Sequence, residues 1–164
     1  MLFRSRRDLS AAQQSLAEAD QSEAMRDLGA QWTAIKESGE QVVRMPEVIM
    51  AAYATHQGRQ ITVELLTGRE KLRIDSVGPD QVQAVKLLFF EGREVGFSPL
   101  NFTYDQLSPR EKLARLGRQA SGERDIMRGL LVLGRPAADK ASEYFKRSNT
   151  ELGRLLADHL EKRN

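Results

Sequence analysis

Side chains that could do acid–base or nucleophilic chemistry are few in this sequence. Histidine is the usual proton donor or acceptor near neutral pH, and the chain has two, His56 and His159, with no motif around either. His56 is expected at the end of a short helix, where the helix dipole accounts for it. Cysteine is absent, which excludes disulfides, thiolate nucleophiles and cysteine-bound metals. We predict no catalytic residue, no metal site and no cofactor, and expect a protein that is not an enzyme.

Two pairs of carboxylates lie close together in the sequence, Asp75 with Asp80 and Glu91 with Glu94. Paired-acid catalysis needs two carboxylates that converge in a cleft, with one of them desolvated. Both pairs flank predicted turns, where carboxylates are solvated. Turn chemistry therefore explains them better than catalysis does.

A basic cluster lies near the start of the last third of the chain. Lys112, Arg115 and Arg118 follow one another at intervals of three, so they share a face if one helix continues through Gly117. Residues 109–164 carry 13 basic and 8 acidic side chains, whereas the whole chain has a net charge of only +2. This face is either an ordinary solvated helix surface or a set of cations that meets nucleic-acid phosphates.

A long helix is predicted over residues 8–38, which lack proline and are rich in Ala, Gln, Glu and Asp. Two apolar faces follow the helical period: Met25, Leu28, Trp32 and Ile35 form one, and Leu9, Ala12, Leu16 and Ala19 form a weaker one. Leu9 and Met25 are about 4.4 turns apart at 3.6 residues per turn, so the two faces point in nearly opposite directions. Either the helix breaks near Ser22 or Gly29, or its first half contacts something else. Ser38-Gly39 is predicted to end it.

The stronger of the two faces contains Trp32, the single tryptophan of the chain. Such a face is a packing surface if it is covered, and a hot spot for a partner helix or for self-association if it is exposed. We predict Met25, Leu28, Trp32 and Ile35 as the partner-binding residues.

The middle of the chain reads as short antiparallel strands. Pro46 opens a short helix that ends before Gly58, and the period then changes to two, with Ile61, Val63 and Leu65 in alternation. Turns are predicted at Thr67-Gly68, Gly78-Pro79-Asp80 and Glu91-Gly92-Arg93, a bulge between Val82 and Val85, and either a last edge strand or a covering loop over residues 102–107. Such strands need closure into a barrel or a covering helix, which residues 46–56 can provide.

The remainder reads as helices. Ser108-Pro109-Arg110-Glu111 combines a capping serine, a proline at the first helical position and a glutamate at the third. Ser121 is expected to cap a second helix, and Ser148 with Glu151 a fourth. We place the domain boundaries at residues 1–44, 45–107 and 108–164.

Two segments resemble known architectures. The helix before GRQITVELLTGREKLRIDSVGPDQVQAVKL gives residues 46–107 the organisation of SH3-like small barrels, including Sm-like domains. IMRGLLVLG and DKASEYFKRS make residues 123–148 similar to one tetratricopeptide-type helix pair, with Ala141 and Phe145 at its small and aromatic positions. This combination looks like accessory regions of large bacterial multidomain proteins, and the resemblance implies an interaction module.

The sequence thus predicts an α+β fold with an N-terminal helix, a small antiparallel SH3-like barrel or curled sheet, and a C-terminal helical hairpin layer. The expected function is a non-enzymatic protein–protein interaction or scaffolding module, and the alternative is nucleic-acid binding through the Sm-like barrel and the helix at residues 109–118. The longest apolar run, residues 48–54, is short of the ~20 residues of a spanning helix, and no secretory signal is evident, so we expect a cytoplasmic protein. The half-used first helix leads us to expect a piece of a larger protein.

Overall fold

A computed structural model describes residues 6–118, 121–133 and 139–162 of the chain. Within them lie eight α-helices and an antiparallel five-stranded sheet, which confirms the predicted α+β fold class. The described residues form two compact units: a helical unit, up to Met45 and from Arg118 onward, and a sheet unit, Pro46–Gly117. The first and last predicted segments therefore share one unit, and residues 108–117 lie with the sheet. No helix in these described ranges is long and apolar enough to cross a membrane.

The predicted N-terminal helix is three helices: α1 (Arg6–Asp20), α2 (Glu23–Arg26) and α3 (Ala30–Val43). The breaks fall at the predicted places, Ser22 and Gly29, and Gly29 adopts a left-handed φ of 52°. The predicted end at Ser38-Gly39 is wrong, because both residues are buried within α3. Gly39 packs against Leu16 of α1, where an added Cβ would lie 2.9 Å from Leu16 Cδ1.

The C-terminal part of the helical unit contains α6 (Gly122–Val132), α7 (Asp139–Arg147) and α8 (Glu151–Glu161). Phe145 of α7 lies directly against Gly129 of α6 and is fully buried. The prediction that Ser148 caps α8 is wrong: Thr150 Oγ1 accepts from Gly153 N at 3.0 Å, while Ser148 Oγ donates to the Phe145 carbonyl. Ser121 precedes α6, but its side chain makes no capping hydrogen bond.

The sheet unit begins with α4 (Met45–Ala51), whose first residue is the last of the helical unit, and a 3-10 turn (Ala52–His56). The strands are β1 (Gln60–Leu65), β2 (Gly68–Val77), β3 (Gln81–Phe90), β4 (Arg93–Pro99) and β5 (Phe102–Thr103), followed by a 3-10 turn (Tyr104–Gln106) and α5 (Pro109–Arg115). The strand order is β1-β2-β3-β4, and β5 pairs with the start of β3. The three predicted turns lie where expected.

The sheet is open but curls back on itself. After β5, the chain returns to β1, where Ser108 N donates to Glu64 O and Leu66 N donates to Gln106 O, each at 2.8 Å. Of the two predicted forms, barrel or curled sheet, this arrangement fits the second. The bulge predicted in β3 lies on the neighbouring strand instead: the register shifts between Ile74 and Ser76 of β2, which leaves Asp75 as the extra residue.

Gly129→Ala tests the close approach of α6 and α7. The added Cβ would lie 2.3 Å from Phe145 Cε1, and the buried ring cannot move aside. We expect the free energy of unfolding to fall by about 1–3 kcal/mol, although alanine is the better helix former. The measurement is urea unfolding followed by the fluorescence of Trp32. The control is Gly39→Ala, which meets only the flexible tip of Leu16 and should cost little; equal losses would contradict the packing argument.

Candidate functional site

The four predicted partner-binding residues do not form one continuous face. Met25 lies in α2 and Trp32 in α3, and both are half-buried. Leu28 lies between these helices and is exposed, whereas Ile35 is buried. The two breaks in the chain therefore separate a face that would be continuous on a straight helix.

An apolar groove of about 480 Å³ lies within the helical unit and brings Met25 and Trp32 together. Three residues of the weaker predicted face, Ala12, Leu16 and Ala19, line the same groove. The breaks at Ser22 and Gly29 thus turn residues from both opposed faces toward one space. The rest of the lining comes from later parts of the chain and from α1 and α3: Ser15, Gly39, Val42, Val43, Ile126, Leu130, Leu152 and Leu156.

A polar contact fixes Trp32 on one side of this groove. The indole Nε1 donates to Asp20 Oδ1 at 3.0 Å, and Lys36 Nζ lies 2.6 Å from Asp20 Oδ2. The hydrogen bond from Lys36, and then the one from Trp32, lowers the pKa of Asp20 below its usual value. Asp20 therefore stays ionised and joins the end of α1 to α3, with the apolar part of the indole left to line the groove.

The predicted basic face does not form. Helix α5 ends at Arg115, and Gly117 has a left-handed φ of 72°, so Arg118 lies beyond the helix and is exposed. Lys112 is buried, with its Nζ 3.8 Å from the centre of the Tyr104 ring. Arg115 is also turned inward, where its guanidinium lies 4.5 Å from the ring centre of Tyr53. Spacing by three therefore does not give three exposed cations.

Arg115 belongs to a buried polar cluster around Glu111, which the sequence predicted only as part of a helix cap. Arg115 Nε donates to Glu111 Oε1 at 2.8 Å, and the hydroxyl of Tyr53 donates to the same oxygen at 2.9 Å. The second oxygen, Oε2, accepts from Glu64 N at 3.2 Å. Burial and the carboxylate of Glu111 raise the pKa of Tyr53 far above its usual range, so the phenol remains a donor.

The predicted cap at Ser108 is confirmed and extends this cluster. Ser108 Oγ accepts from Glu111 N at 3.1 Å and donates to Glu64 Oε1 at 3.1 Å. Among the described residues, the partners of the Glu111 carboxylate are thus Tyr53, Arg115 and the backbone of Glu64, all of them groups of the fold itself. We read the cluster as the attachment of α5 to β1 and to the 3-10 turn after α4, and not as a substrate site.

The two histidines lie in different units. His56 Nε2 is 3.0 Å from Arg115 NH1, and because a guanidinium only donates, this nitrogen is the unprotonated one. Desolvation, and then the charge of Arg115, lowers the pKa of His56 below its usual value of 6.5. His159 is exposed on α8.

Asp75, Asp80, Glu91 and Glu94 are all exposed at or beside turns or the bulge. Asp75 pairs with Arg73 at 3.1 Å. In the ranges that the structure describes, no three His, Asp or Glu side chains are grouped so that they could hold a metal ion.

Glu111→Gln tests the cluster. The amide keeps the size of the side chain but removes the charge that balances Arg115, so we expect the sheet unit to lose about 2–3 kcal/mol of stability. The measurement is equilibrium unfolding by near-ultraviolet circular dichroism. Glu70→Gln is the matched control, because the side chains of Glu70 and its partner Lys86 are 25% and 45% exposed, against 8% for Glu111, and their pair should contribute about 1 kcal/mol or less. Equal effects of the two substitutions would show that the Glu111 cluster does not hold the unit together.

A pH dependence follows from the contacts of His56. Desolvation and then the charges of Arg115 and Arg59 disfavour its protonation and outweigh Glu111, which favours it, so the folded state binds a proton less readily than the unfolded state. The free energy of unfolding should therefore decline as the pH falls from about 7 through the unfolded pKa of about 6.5, because the unfolded chain gains a proton first. His56→Gln should flatten this part of the profile and His159→Gln should not. A profile that is the same in all three proteins would refute the assignment.

Comparison with known proteins gives this chain no relative: no family model, no curated protein and no solved structure matches it. The resemblances of residues 46–107 and 123–148 are thus neither supported nor contradicted by a match. The function has to be argued from the geometry of the two units.

Proposed function

We propose that this protein is a non-enzymatic protein–protein interaction module, and that the apolar groove of the helical unit is its binding site. The observation that carries the proposal is the lining of the groove, in which Ser15 provides the single side-chain hydroxyl and the polar group of Trp32 is already bonded to Asp20. A site that orients a polar substrate needs several converging polar groups. This groove instead suits apolar side chains that a partner brings to it.

The partner that fits best is an amphipathic helix. A groove between helices accepts apolar side chains spaced by three and four residues along a partner helix. The lining includes a tryptophan and a methionine, which are enriched among residues that contribute most to protein interfaces or adapt to different partners. Its volume of about 480 Å³ has room for a few side chains of such a helix.

The nucleic-acid alternative has less support. Its three cations were Lys112, Arg115 and Arg118, and the first two are held inside the sheet unit by aromatic rings and by Glu111. Of these three cations Arg118 is the exposed one, and a single cation does not make a phosphate-binding surface.

We place the interaction module in the cytoplasm, as the absence of cysteine favours, and consider the accessory region of a larger bacterial protein its best context.

Ser15→Glu tests the groove with little risk to folding, since Ser15 is exposed in α1 and still lines the groove. A neutral apolar dye such as N-phenyl-1-naphthylamine should bind there and receive energy from Trp32, the single tryptophan. The new carboxylate should weaken this binding about tenfold or more, because a dye in the groove would remove water from it without replacing its hydrogen bonds. Ala17→Glu, on the opposite side of the same helix, is the control.

The same pair of variants then tests the partner. A photo-crosslinking residue at position 15 should capture a protein that a crosslinker at position 17 does not. That protein, once purified, should displace the dye and bind Ser15→Glu at least about tenfold more weakly than Ala17→Glu. The proposal would be contradicted if no energy passed from Trp32 to the dye, or if the partner bound the Ser15→Glu and Ala17→Glu proteins equally well.

A further inference from the structure

The end of β3 and most of β4 form a two-stranded arm that leaves the sheet. β3 pairs with β2 only as far as Lys86, which lies opposite Leu72. Beyond Lys86, residues 87–90 pair with β4 alone, through Leu87↔Phe97, Leu88↔Gly96, Phe89↔Glu94 and Phe90↔Arg93. We call residues 87–97 the β3–β4 arm.

The arm exposes large apolar side chains on both of its faces. Leu88, Phe89 and Phe90 are 42%, 56% and 66% exposed, and because successive strand residues point to opposite faces, neither face is polar. Val95 and Phe97 on the other strand are each 62% exposed. The buried core residues of β3 end at Val85, so the core of the sheet unit does not reach this far.

An arm of this kind is a poor structure in water by itself. An isolated two-stranded ribbon is at best marginally stable, and contiguous apolar patches of this size usually mark an interaction surface. From the exposed fractions, the five side chains present about 500 Å² of mostly apolar surface in each chain. Two arms that wrap around each other, so that both faces of each arm are covered, would bury about 1,000 Å², which is the lower limit for a specific protein–protein interface.

We propose that the β3–β4 arm is the interface of a homodimer, in which the arm of a second copy covers the arm of the first across a twofold axis. A twofold interface uses the same patch on both copies, so an apolar patch meets an equally apolar one. β4 pairs with β3 alone among the described strands, so its other edge can also take part.

The charges of the arm are compatible with this arrangement. Arg93 and Glu94 are adjacent and opposite in sign, and an antiparallel twofold pair can place Arg93 of each copy beside Glu94 of the other. A lipid surface is the less favoured occupant. The tip carries Glu91 and Glu94 against one Arg93, and this net negative charge is repelled by anionic headgroups.

The test is the molar mass of the full chain, measured by sedimentation equilibrium from low to high micromolar concentration. We expect a reversible dimer, whose dissociation constant rises at least about 100-fold in Phe90→Ser/Phe97→Ser, since buried aromatic anchors dominate such interfaces. Leu155→Ser removes an exposed leucine of α8 in the helical unit and should leave the dimer unchanged. A monomer at every concentration, or a dimer that the double substitution does not weaken, would overturn the proposal.

Hydrogen exchange of the unchanged protein keeps the test valid if the double variant does not fold. Amides of residues 87–97 should become protected as the concentration rises, whereas those of β1 and β2 should not change. If the amides of the arm were already fully protected at concentrations where the protein is a monomer, the arm would be covered by its own chain, which would overturn the proposal. Flotation of a monomeric protein with phosphatidylglycerol vesicles, lost in Phe90→Ser/Phe97→Ser, would assign the arm to a membrane surface instead.

Discussion

The buried carboxylate of Glu111 is the interaction on which the sheet unit depends. It receives the Tyr53 hydroxyl from the turn after α4, the Glu64 amide of β1 and the Arg115 guanidinium of its own helix. A buried charge is tolerated only when its hydrogen-bond partners are all in place, so this one group determines how two helical elements sit on the sheet. Because Arg115 donates to Glu111, its guanidinium is turned away from the surface. Lys112 is buried as well, against the ring of Tyr104. Basic residues that by type suit a phosphate surface thus become part of the interior.

The helical unit depends on a different constraint, the close approach of helices at glycine. Gly129 admits the buried ring of Phe145, which leaves no room for a side chain there, whereas Gly39 faces only the flexible tip of Leu16. Between these contacts the breaks at Ser22 and Gly29 turn residues from two opposed faces of the N-terminal segment toward a common space. The groove is therefore a consequence of the chain's interruptions, since a continuous helix would have kept Leu16 and Trp32 apart.

The two surfaces that we assign to binding differ in kind. The groove is concave and lies among packed helices, so it suits single side chains of a partner helix. The β3–β4 arm projects from the sheet, exposes apolar side chains on both faces and has an edge that no other described strand pairs with, so it suits a partner with an equally apolar ribbon. The side chains of both surfaces are mostly apolar, which is why we assign both to contacts with proteins.

Much of the local structure was decided by the sequence alone. The Ser108-Pro109-Glu111 helix start, the turns at Thr67-Gly68 and Glu91-Gly92, and the breaks at Ser22 and Gly29 follow from backbone preferences that act within a few residues. The tertiary structure decided the rest. Ser38 and Gly39 remain helical because they are buried within α3. Thr150 caps α8 in place of Ser148, and β3 continues beyond Lys86, where its pairing with β2 ends. The direction in which Lys112 and Arg115 point depends on Tyr104, Tyr53 and Glu111, which form one site only after the chain has folded. Spacing along a helix defines which residues share a face, but only the packing of distant segments defines which faces meet water.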